Sequence, residues 1–313
     1  MTNKKCLYCY KEVPEGGELH ASCSRKFFGT KTPPVIPYSL DEMNELAKKL
    51  VQRSVTVPGV QPKLSMSLIK ETGQNYDRKL TVVDTLGGNF IFKPPTPAFE
   101  EMPANEHVTM RIAEAYGLKV VPSSLIRLKS GELSYITKRI DRTKDYKKVH
   151  MLDMFQITEA FDKYISSMEK VGKAVGNYSA NPLLDKLFLF EITLFCFLTG
   201  NNDMHLKNFS MIQNKEKWIL APFYDLLNVS IILPEDTEEL ALTMEGKKRK
   251  LNRKIFETYG ENLGLNNKQI NSVFQRFLKN KPKALRLIEH SFLSEKMQIK
   301  YIALLDKRYE ALY

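Results

Sequence analysis

The chain has 313 residues, 43% of them apolar, and its 47 lysines and arginines outnumber its 36 aspartates and glutamates to give a net charge of +11. This length suits one large domain or two lobes, and the apolar content excludes a wholly disordered chain. The positive charge favours phosphate-bearing ligands, nucleic acid or acidic proteins as partners, although such a charge also serves solubility alone.

No stretch of the sequence has the uncharged length that a membrane span needs, because Asp185, Lys186 and Glu191 interrupt the most apolar segment. The first residues are basic, but the apolar segment of a secretory signal does not follow them. We therefore expect a cytoplasmic protein without membrane contact, and delivery to another compartment or cell stays open.

A cluster of metal-ligand residues lies near the N terminus, where "CLYCYKEVPEGGELHASC" has the pattern C-x2-C-x10-H-x2-C. Thiolate and imidazole pairs at such spacing are typical of a structural Zn2+ site, so residues 1–33 are interpreted as a knuckle with the ligands Cys6, Cys9, His20 and Cys23. Reduced free thiols and a disulfide are the alternatives, and a reducing compartment disfavours the second. Cys196, within an apolar helix, is expected in the core.

The next segment combines a helix with strands. Prolines mark a linker, and Ser39 is the predicted N-cap of a helix over residues 40–53. Apolar and polar positions then alternate over residues 54–93, with Gly, Pro or Asn at the interruptions, which predicts antiparallel strands.

A further helix and hairpin complete this region. An amphipathic helix is predicted to start at Asn105 and to end before Gly117, and a hairpin is predicted to turn at Ser130–Gly131. Together these elements predict a small β-rich N-lobe over residues 34–150.

From residue 151 to 313 the pattern predicts a helical C-lobe. Helices are expected over residues 151–161, 164–178 and 181–200, followed by the polar stretch "GNNDMHLKNF", two short strands and a helical tail from about residue 255. The basic run at residues 245–254 is interpreted as a solvated loop and helix start, with a nucleic-acid or acidic-partner contact as the alternative.

Three polar residues of this lobe have a suggestive spacing. Asn208 follows Asp203 by five positions, and Asp225 lies 17 positions further, in an apolar context that reads as a strand. Protein kinases space a hydroxyl-orienting Asp and a metal-binding Asn in this way and add a second metal-binding Asp. Asp203 would accept the hydroxyl proton, Asn208 and Asp225 would hold Mg2+, and Lys207 or His205 would steady the phosphoryl charge.

Upstream residues supply the other parts of such a site. Lys93 ends an apolar strand, where kinases keep the lysine that contacts ATP phosphates, and Glu106 is its expected partner, with Glu100 and Glu101 as alternatives. The turn "VPGVQPK" at residues 57–63 offers backbone N–H groups to phosphate. Each feature alone is weak, and their order along the chain is what favours a kinase.

The chain resembles the HipA-like serine/threonine kinases, toxins of bacterial toxin–antitoxin modules. Six blocks carry the resemblance in order across about residues 54–230: "SVTVPGVQPKLS", "FIFKP", "NEHVTMRIAEAYGL", "YITKRIDR", "GNNDMHLKNFSM" and "FYDLL". The resemblance implies an α+β, two-lobed protein-kinase-like fold with a small β-rich N-lobe and a larger helical C-lobe. It supports the roles of Asp203, Asn208 and Asp225 and implies that ATP is bound by Pro58, Gly59, Val60, Gln61, Pro62, Lys63, Lys93, Leu152, Asp153, Met154 and Tyr224.

The resemblance also implies a self-regulating loop. Members of the family autophosphorylate on a hydroxyl just before the loop glycine, and the corresponding candidates are Ser54 and Thr56. Phosphate there adds about −1.5 to −2 charge where ATP phosphates must lie, so repulsion would switch the enzyme off. The alternative is that both are ordinary strand residues.

The expected partners are inferred from a difference between this sequence and the family pattern. The nucleotide loop begins by residue 57, so we expect no additional N-terminal subdomain, as in short HipT-type toxins. In such modules a separate small antitoxin protein supplies that subdomain and a DNA-binding antitoxin completes the module, so DNA contact is expected only through partners. Known family substrates are aminoacyl-tRNA synthetases. A small-molecule or lipid kinase and an inactive kinase-fold interaction module are the alternatives.

Overall fold

A computed structural model describes residues 4–14, 17–53, 63–70, 78–83, 87–99, 101–143 and 145–313, without the side chains of residues 50–53, 70 and 78. Among these residues, no helix combines the length and the hydropathy that crossing a bilayer requires. The α-helices are α1 (Ala21–Phe28), α2 (Leu40–Arg53), α3 (Met102–Ala115), α4 (Met154–Ile157), α5 (Met168–Tyr178), α6 (Pro182–Thr199), α7 (Arg253–Asn262), α8 (Asn267–Glu289) and α9 (Glu295–Glu310). The strands are β1 (Leu64–Lys70), β2 (Arg78–Val82), β3 (Phe90–Lys93), β4 (Ser123–Arg127), β5 (Leu133–Lys138), β6 (Met151–Asp153), β7 (Ser210–Asn214) and β8 (Lys217–Leu220).

The chain divides into two compact units. Unit 1 comprises Met1–His107, Val121–Lys148 and His290–Phe292. Unit 2 comprises Val108–Val120, Val149–Glu289 and Leu293–Tyr313.

Unit 1 is built on an antiparallel five-stranded sheet in the order β2-β1-β3-β5-β4. The predicted hairpin at Ser130–Gly131 is confirmed, since Arg127 pairs with Leu133 across β4 and β5. Strands also occupy the described parts of residues 63–93, as the alternation predicted. In β3 the buried Phe92 faces Ile136 and the terminal Lys93 faces Tyr135, so the register places a lysine at the end of an apolar strand.

The ends of helices α2 and α3 show the residues that start and stop them. Ser39 caps α2 as predicted, because its hydroxyl accepts the Glu42 N–H at 3.3 Å and its own N–H donates to the Glu42 carboxylate at 2.7 Å. Helix α3 begins at Met102, so the predicted start at Asn105 is wrong. Pro103 lies within the first turn, where the missing proline N–H costs nothing. The predicted end is confirmed by Gly117, whose φ is 83°.

The N-terminal segment shares a core with this sheet. Cys6, Leu7 and Phe27 belong to one buried cluster with Phe90 and Phe92. The Leu125 N–H of β4 also donates to the Leu7 carbonyl at 3.2 Å. The knuckle segment is therefore packed into unit 1 by both apolar contacts and backbone hydrogen bonds.

Unit 2 contains the three-stranded antiparallel sheet β6-β7-β8 and a deeply buried helix, α6. A helix that is apolar on all sides belongs in a core, and Leu189 to Thr199 are all buried, including Cys196 as expected. The predicted helix over residues 151–161 is wrong, because β6 pairs with β7 there and only the single turn α4 follows. The partner strand lies far along the chain, so the local pattern could not reveal the pairing.

The last part of unit 2 follows the sequence prediction more closely. Helices α7, α8 and α9 form the expected helical tail, and residues 245–252 of the basic run form a loop before α7. The strand-like context expected for Asp225 is wrong, since only Phe223 forms an isolated bridge, to Val120, and irregular backbone follows.

Candidate functional site

A buried ion pair joins the sheet of unit 1 to helix α3. Lys93 Nζ lies 2.6 Å from Glu106 Oε1, and the two residues are only 4% and 1% exposed. The same ammonium lies 5.3 Å from the centroid of the Tyr135 ring, a cation–π distance. Among the three glutamates considered from the sequence, Glu106 is thus the one that the structure pairs with Lys93. Burying two charges is costly unless they are paired, so this pair fixes the lysine firmly.

The polar stretch of unit 2 is anchored where α6 ends. Gly200 has a φ of 67°, and a Cβ there would lie 2.7 Å from Asn228 Oδ1 and 2.5 Å from Leu304 Cδ2. Its carbonyl accepts the N–H groups of Val229 and Ser230 at 3.0 and 3.1 Å. Glycine is therefore required both by the backbone conformation and by the close approach, and the loop is tied to the segment that follows Asp225.

Asp203 and Asn208 are locked together within one turn. Asn208 Nδ2 donates to the Asp203 carbonyl at 3.1 Å, which also accepts the His205 N–H at 2.8 Å. Asn208 is buried in the 3-10 turn Leu206–Asn208, and its amide nitrogen is engaged, so the amide presents its oxygen to other ligands. The predicted pair thus has the orientation that a cation site needs.

A tyrosine that the sequence analysis did not single out contacts Asp203. The Tyr164 hydroxyl donates to Asp203 Oδ1 at 2.7 Å, so one of the two carboxylate oxygens is engaged by the tyrosine. The hydrogen bond and the Asp203 charge, together with burial as the largest cause, raise the pKa of Tyr164. No local pattern around Tyr164 could have predicted this contact, because it joins positions 39 residues apart.

His205 lies at the centre of the charged groups of this loop. Its Nε2 is 3.0 Å from Lys163 Nζ, and its ring packs edge-on against Tyr164 at 5.0 Å. Burial lowers the pKa of His205 below its ordinary value, the Lys163 charge lowers it further, and the charges of Asp203 and Asp225 oppose this. The imidazole is therefore neutral at neutral pH and accepts a hydrogen bond from the lysine.

Asp225 has a strained backbone, with a φ of 61° that L-residues rarely adopt. Such strain often accompanies a functional role. The Asp225 carboxylate acts electrostatically on His205, as the Asp203 carboxylate does, so both acids belong to one neighbourhood. A carboxylate and an amide oxygen are the hard ligands that Mg2+ prefers, so Asp225 and Asn208 fit this cation.

The other predicted residues of unit 2 flank this loop. Lys207 is exposed, and its ammonium lies 4.7 Å from the centroid of the Phe155 ring. The Tyr224 hydroxyl donates to the Lys207 carbonyl at 3.1 Å and lies 2.6 Å from the Ser210 hydroxyl. Asp153 caps α4, and burial raises its pKa while Lys207 opposes that change.

The remaining members of the predicted nucleotide site are described only in part. Leu152 is 41% exposed in β6, and Met154 is fully buried at the start of α4. Lys63 is exposed just before β1. The described residues do not include Pro58, Gly59, Val60, Gln61 and Pro62, nor the candidate phosphorylation sites Ser54 and Thr56.

The four predicted zinc ligands of unit 1 lie together. The sulfur atoms of Cys6, Cys9 and Cys23 and a ring nitrogen of His20 all lie within 4.8 Å of one another. His20 Nδ1 is 3.5 Å from Cys9 Sγ and 3.8 Å from Cys23 Sγ. All three cysteines are free, so the disulfide alternative is not the arrangement that the structure has.

Comparison with known proteins identifies the family of this chain. A family model for the HipA-like C-terminal domain matches residues 55–285. The chain belongs to this family. A putative kinase of Haemophilus influenzae is 27% identical over 307 residues, which cover 88% of this chain and 86% of that protein. The predicted resemblance to HipA-like proteins is thus confirmed.

Other relatives are matched over a smaller share of their length. The putative kinase Y4dM of Sinorhizobium fredii is 32% identical, with 53% of this chain and 44% of that protein covered. The serine/threonine-protein kinase toxin HipA of Shewanella oneidensis is 25% identical, with 61% of this chain and 47% of that protein covered. This chain therefore spans less than half the length of these two relatives.

Solved structures confirm the predicted fold class. Shewanella oneidensis HipA, solved with HipB and its operator DNA, superposes with a TM-score of 0.66 at 22% identity, covering 84% of this chain and 70% of that one. The Helicobacter pylori proinflammatory kinase CtkA superposes with a TM-score of 0.53 at 20% identity, covering 71% and 86%. At these identities the likeness shows the fold, which is kinase-like with a β-rich and a helical part.

Proposed function

We propose that this HipA-like chain is an ATP- and Mg2+-dependent protein serine/threonine kinase and the toxin of a bacterial toxin–antitoxin module. The observation that carries the proposal is the loop of unit 2, in which Asn208 is hydrogen-bonded to Asp203 and both Asp203 and Asp225 act on the same imidazole. Names of relatives that include a kinase toxin support the same activity.

Each residue of the proposed site has a separate role in phosphoryl transfer. Asp203 orients the acceptor hydroxyl and takes its proton, while Lys93, held by Glu106, contacts the ATP phosphates. Asn208 and Asp225 would hold Mg2+, which supplies positive charge against the phosphoryl oxygens. The neutral His205 leaves the negative charge of Asp203 available for the proton, and Lys207 adds positive charge beside the loop.

Replacing Asp203 tests the activity. Asp203→Ala should abolish transfer of labelled γ-phosphate and growth arrest on expression, while the melting temperature stays near that of the wild type. Glu235→Ala, which removes an exposed carboxylate of unit 2, is the matched control and should retain both activities. An Asp203→Ala variant as toxic as the wild type would disprove the kinase-toxin proposal.

The proposed substrate is an aminoacyl-tRNA synthetase, on the strength of the family resemblance. Labelled ATP added to a host lysate with the purified chain should label one protein of that class, and tRNA charging should fall. Label in lipid or in small molecules would instead establish the small-molecule or lipid kinase. No label with any acceptor, the chain itself included, would establish the inactive interaction module.

Autophosphorylation is proposed at Ser54 or Thr56. Mass spectrometry of the active protein should find phosphate there and none on the Asp203→Ala variant. Phosphate that persists on the variant would show that another kinase modifies the loop.

The proposed partners are a small antitoxin protein that supplies the N-terminal subdomain and a DNA-binding antitoxin, all acting in the cytoplasm. The Shewanella HipA, which was solved with HipB and operator DNA, supports a DNA-binding partner for this chain. Size-exclusion chromatography of the chain with each purified antitoxin should give a joint peak. Operator DNA should join that peak only when the DNA-binding antitoxin is present.

A further inference from the structure

The Cys/His cluster of unit 1 has the four ligand residues of a metal site and also a hydrogen bond that orients the histidine among them. His20 Nε2 lies 2.7 Å from the Glu12 carbonyl, a distance at which the ring nitrogen donates its proton. Nδ1 is then the unprotonated nitrogen, and it is the nitrogen that faces the Cys9 and Cys23 sulfurs. Metal-binding histidines are commonly oriented in this way by a backbone carbonyl.

The local backbone also presents the cysteines. Tyr10 N–H donates to the Cys6 carbonyl at 3.0 Å, and Cys6 N–H donates to the Lys11 carbonyl at 2.8 Å, which closes a tight turn around Cys9. His20 is the N-cap residue of α1, and Cys23 lies three positions later, in the first turn of the helix. The turn that carries Cys6 and Cys9 therefore lies against the start of α1, which carries His20 and Cys23. Thiols form only weak hydrogen bonds, so hydrogen bonds among these side chains would stabilise the arrangement little without a metal ion.

We propose that Cys6, Cys9, His20 and Cys23 bind one Zn2+, and that this ion holds Tyr10 against His107 and so positions the helical turn that carries Glu106. The zinc site itself is independent of the proposed kinase activity. Its effect on ATP binding rests on that activity, because Glu106 acts through Lys93.

The connection runs through one buried tyrosine. Tyr10 has a φ of 66°, a conformation that is unfavourable for an L-residue and that its surroundings must therefore impose. Its hydroxyl lies 2.8 Å from His107 Nδ1, and its ring meets the His107 ring edge-on at 5.4 Å. His107 directly follows Glu106 in α3, and both residues are at most 1% exposed. A closed metal site thus imposes the Tyr10 conformation, and Tyr10 in turn contacts the neighbour of Glu106.

Metal content and cobalt substitution test the site. The wild type, purified under reducing conditions with zinc present, should contain about one zinc per chain, and Co2+ in its place should give the visible bands of tetrahedral thiolate coordination. Cys23→Ser should lose the metal, whereas Cys196→Ala, a cysteine change in the core of unit 2, should keep it. A wild type without zinc and without tetrahedral cobalt bands would overturn the site.

Tyr10→Phe tests the connection to α3. This variant should still bind one zinc, but amide hydrogen exchange in the first turns of α3 should quicken by roughly tenfold, the effect of one lost buried hydrogen bond. Removal of zinc from the wild type with a chelator should quicken the same amides. Tyr38→Phe, which removes a tyrosine hydrogen bond to Thr81 of β2, is the control and should leave α3 unchanged.

The readouts separate the two proposals. Exchange in α3 that is unchanged in Tyr10→Phe would overturn the positioning role even when zinc is bound. If the connection holds, the KM for ATP should rise in Tyr10→Phe while kcat changes little. A wild type that binds zinc but never transfers phosphate would refute the kinase and leave the metal site standing.

Discussion

The Tyr164 hydroxyl donates a hydrogen bond to Asp203 Oδ1 at 2.7 Å, and the Tyr164 ring packs edge-on against His205. One side chain of an otherwise irregular loop thereby orients the acid that the proposed chemistry requires. Because a hydrogen bond to a carboxylate both fixes its rotamer and occupies one oxygen, Tyr164 is a positioning residue for Asp203.

Tyr164→Phe should lower kcat for phosphate transfer by roughly tenfold, because Asp203 loses the hydrogen bond that orients it. The KM for ATP should stay constant, since the hydrogen bond and the ring contact described for Tyr164 join it to Asp203 and His205, which are not among the residues proposed to hold the nucleotide. Steady-state kinetics with labelled ATP measure both. Tyr178→Phe, at the exposed end of α5, should match the wild type. An unchanged kcat in Tyr164→Phe would show that Asp203 needs no such support.

The Lys93–Glu106 pair should respond differently to single and double replacement. Lys93→Met leaves the Glu106 carboxylate buried without its lysine and should cost roughly 3–5 kcal/mol of stability, as should Glu106→Leu. The double variant should cost far less than the sum, because no buried charge of the pair remains. Urea unfolding of the four proteins measures the coupling.

The exposed pair Lys48–Glu45, at 2.8 Å on α2, is the matched control for this cycle. Its single and double replacements should leave the unfolding midpoint unchanged, because solvent screens both charges. Additive costs at Lys93 and Glu106 would contradict a coupled buried pair.

Acid should destabilise unit 2 through His205. The pKa of this imidazole is lowered in the folded state, so the unfolded chain binds the proton more readily than the folded chain does. The stabilisation is therefore complete above the ordinary value of 6.5 and is lost as the pH falls below it. Thermal melts between about pH 8 and about pH 5 should show this loss.

Lys163→Met isolates the cause of that acid sensitivity. Without the ammonium 3.0 Å from Nε2, protonated His205 meets less repulsion, so its pKa should rise and the loss of stability in acid should shrink. NMR titration of the ring protons measures the pKa directly. Lys170→Met, on the exposed surface of α5, should leave the titration unchanged. A lower imidazole pKa in Lys163→Met would contradict this electrostatic account.

Substitution of Asp225 should separate its backbone strain from its chemistry. Asp225→Gly relieves the positive φ and Asp225→Ala does not, so the alanine variant should be less stable by about 1 kcal/mol. Both variants should lose phosphate transfer, because the carboxylate is gone. Chemical unfolding and the labelled-ATP assay give the two readouts. Glu216→Gly, at another positive φ in the turn between β7 and β8, should keep full activity.

Local signals predicted the elements whose causes are local. Ser39 predicted the start of α2, because a hydroxyl N-cap accepts a hydrogen bond from within the first turn. Gly117 predicted the end of α3, because glycine readily adopts the positive φ that ends many helices. Family blocks and spacing similarly brought Asp203, Asn208 and Asp225 to attention, and the structure places the first two in direct contact.

The sequence did not predict features that depend on contacts between residues far apart along the chain. Residues 151–153 look helical by composition, but β7 makes them a strand from 57 residues away, counted from Asp153 to Ser210. Lys163 and Tyr164 lie in a loop that has no recognisable motif. Only their contacts in the structure, Lys163 with His205 and Tyr164 with Asp203, connect them to the site. Periodicity describes one element at a time, so it does not register such contacts.

Unit 1 is completed by a short segment, His290–Phe292, that lies far along the chain from the rest of the unit. Lys5 Nζ donates to the Ser291 carbonyl at 2.8 Å, and the Tyr10 ring packs against Phe292 at 5.8 Å. The hydrogen bond joins residues 286 positions apart, so residues 290–292 complete the surroundings of the N-terminal segment from far along the chain. Closing a long loop costs conformational entropy before its contacts form, so these contacts should raise the contact order of unit 1 and slow its folding.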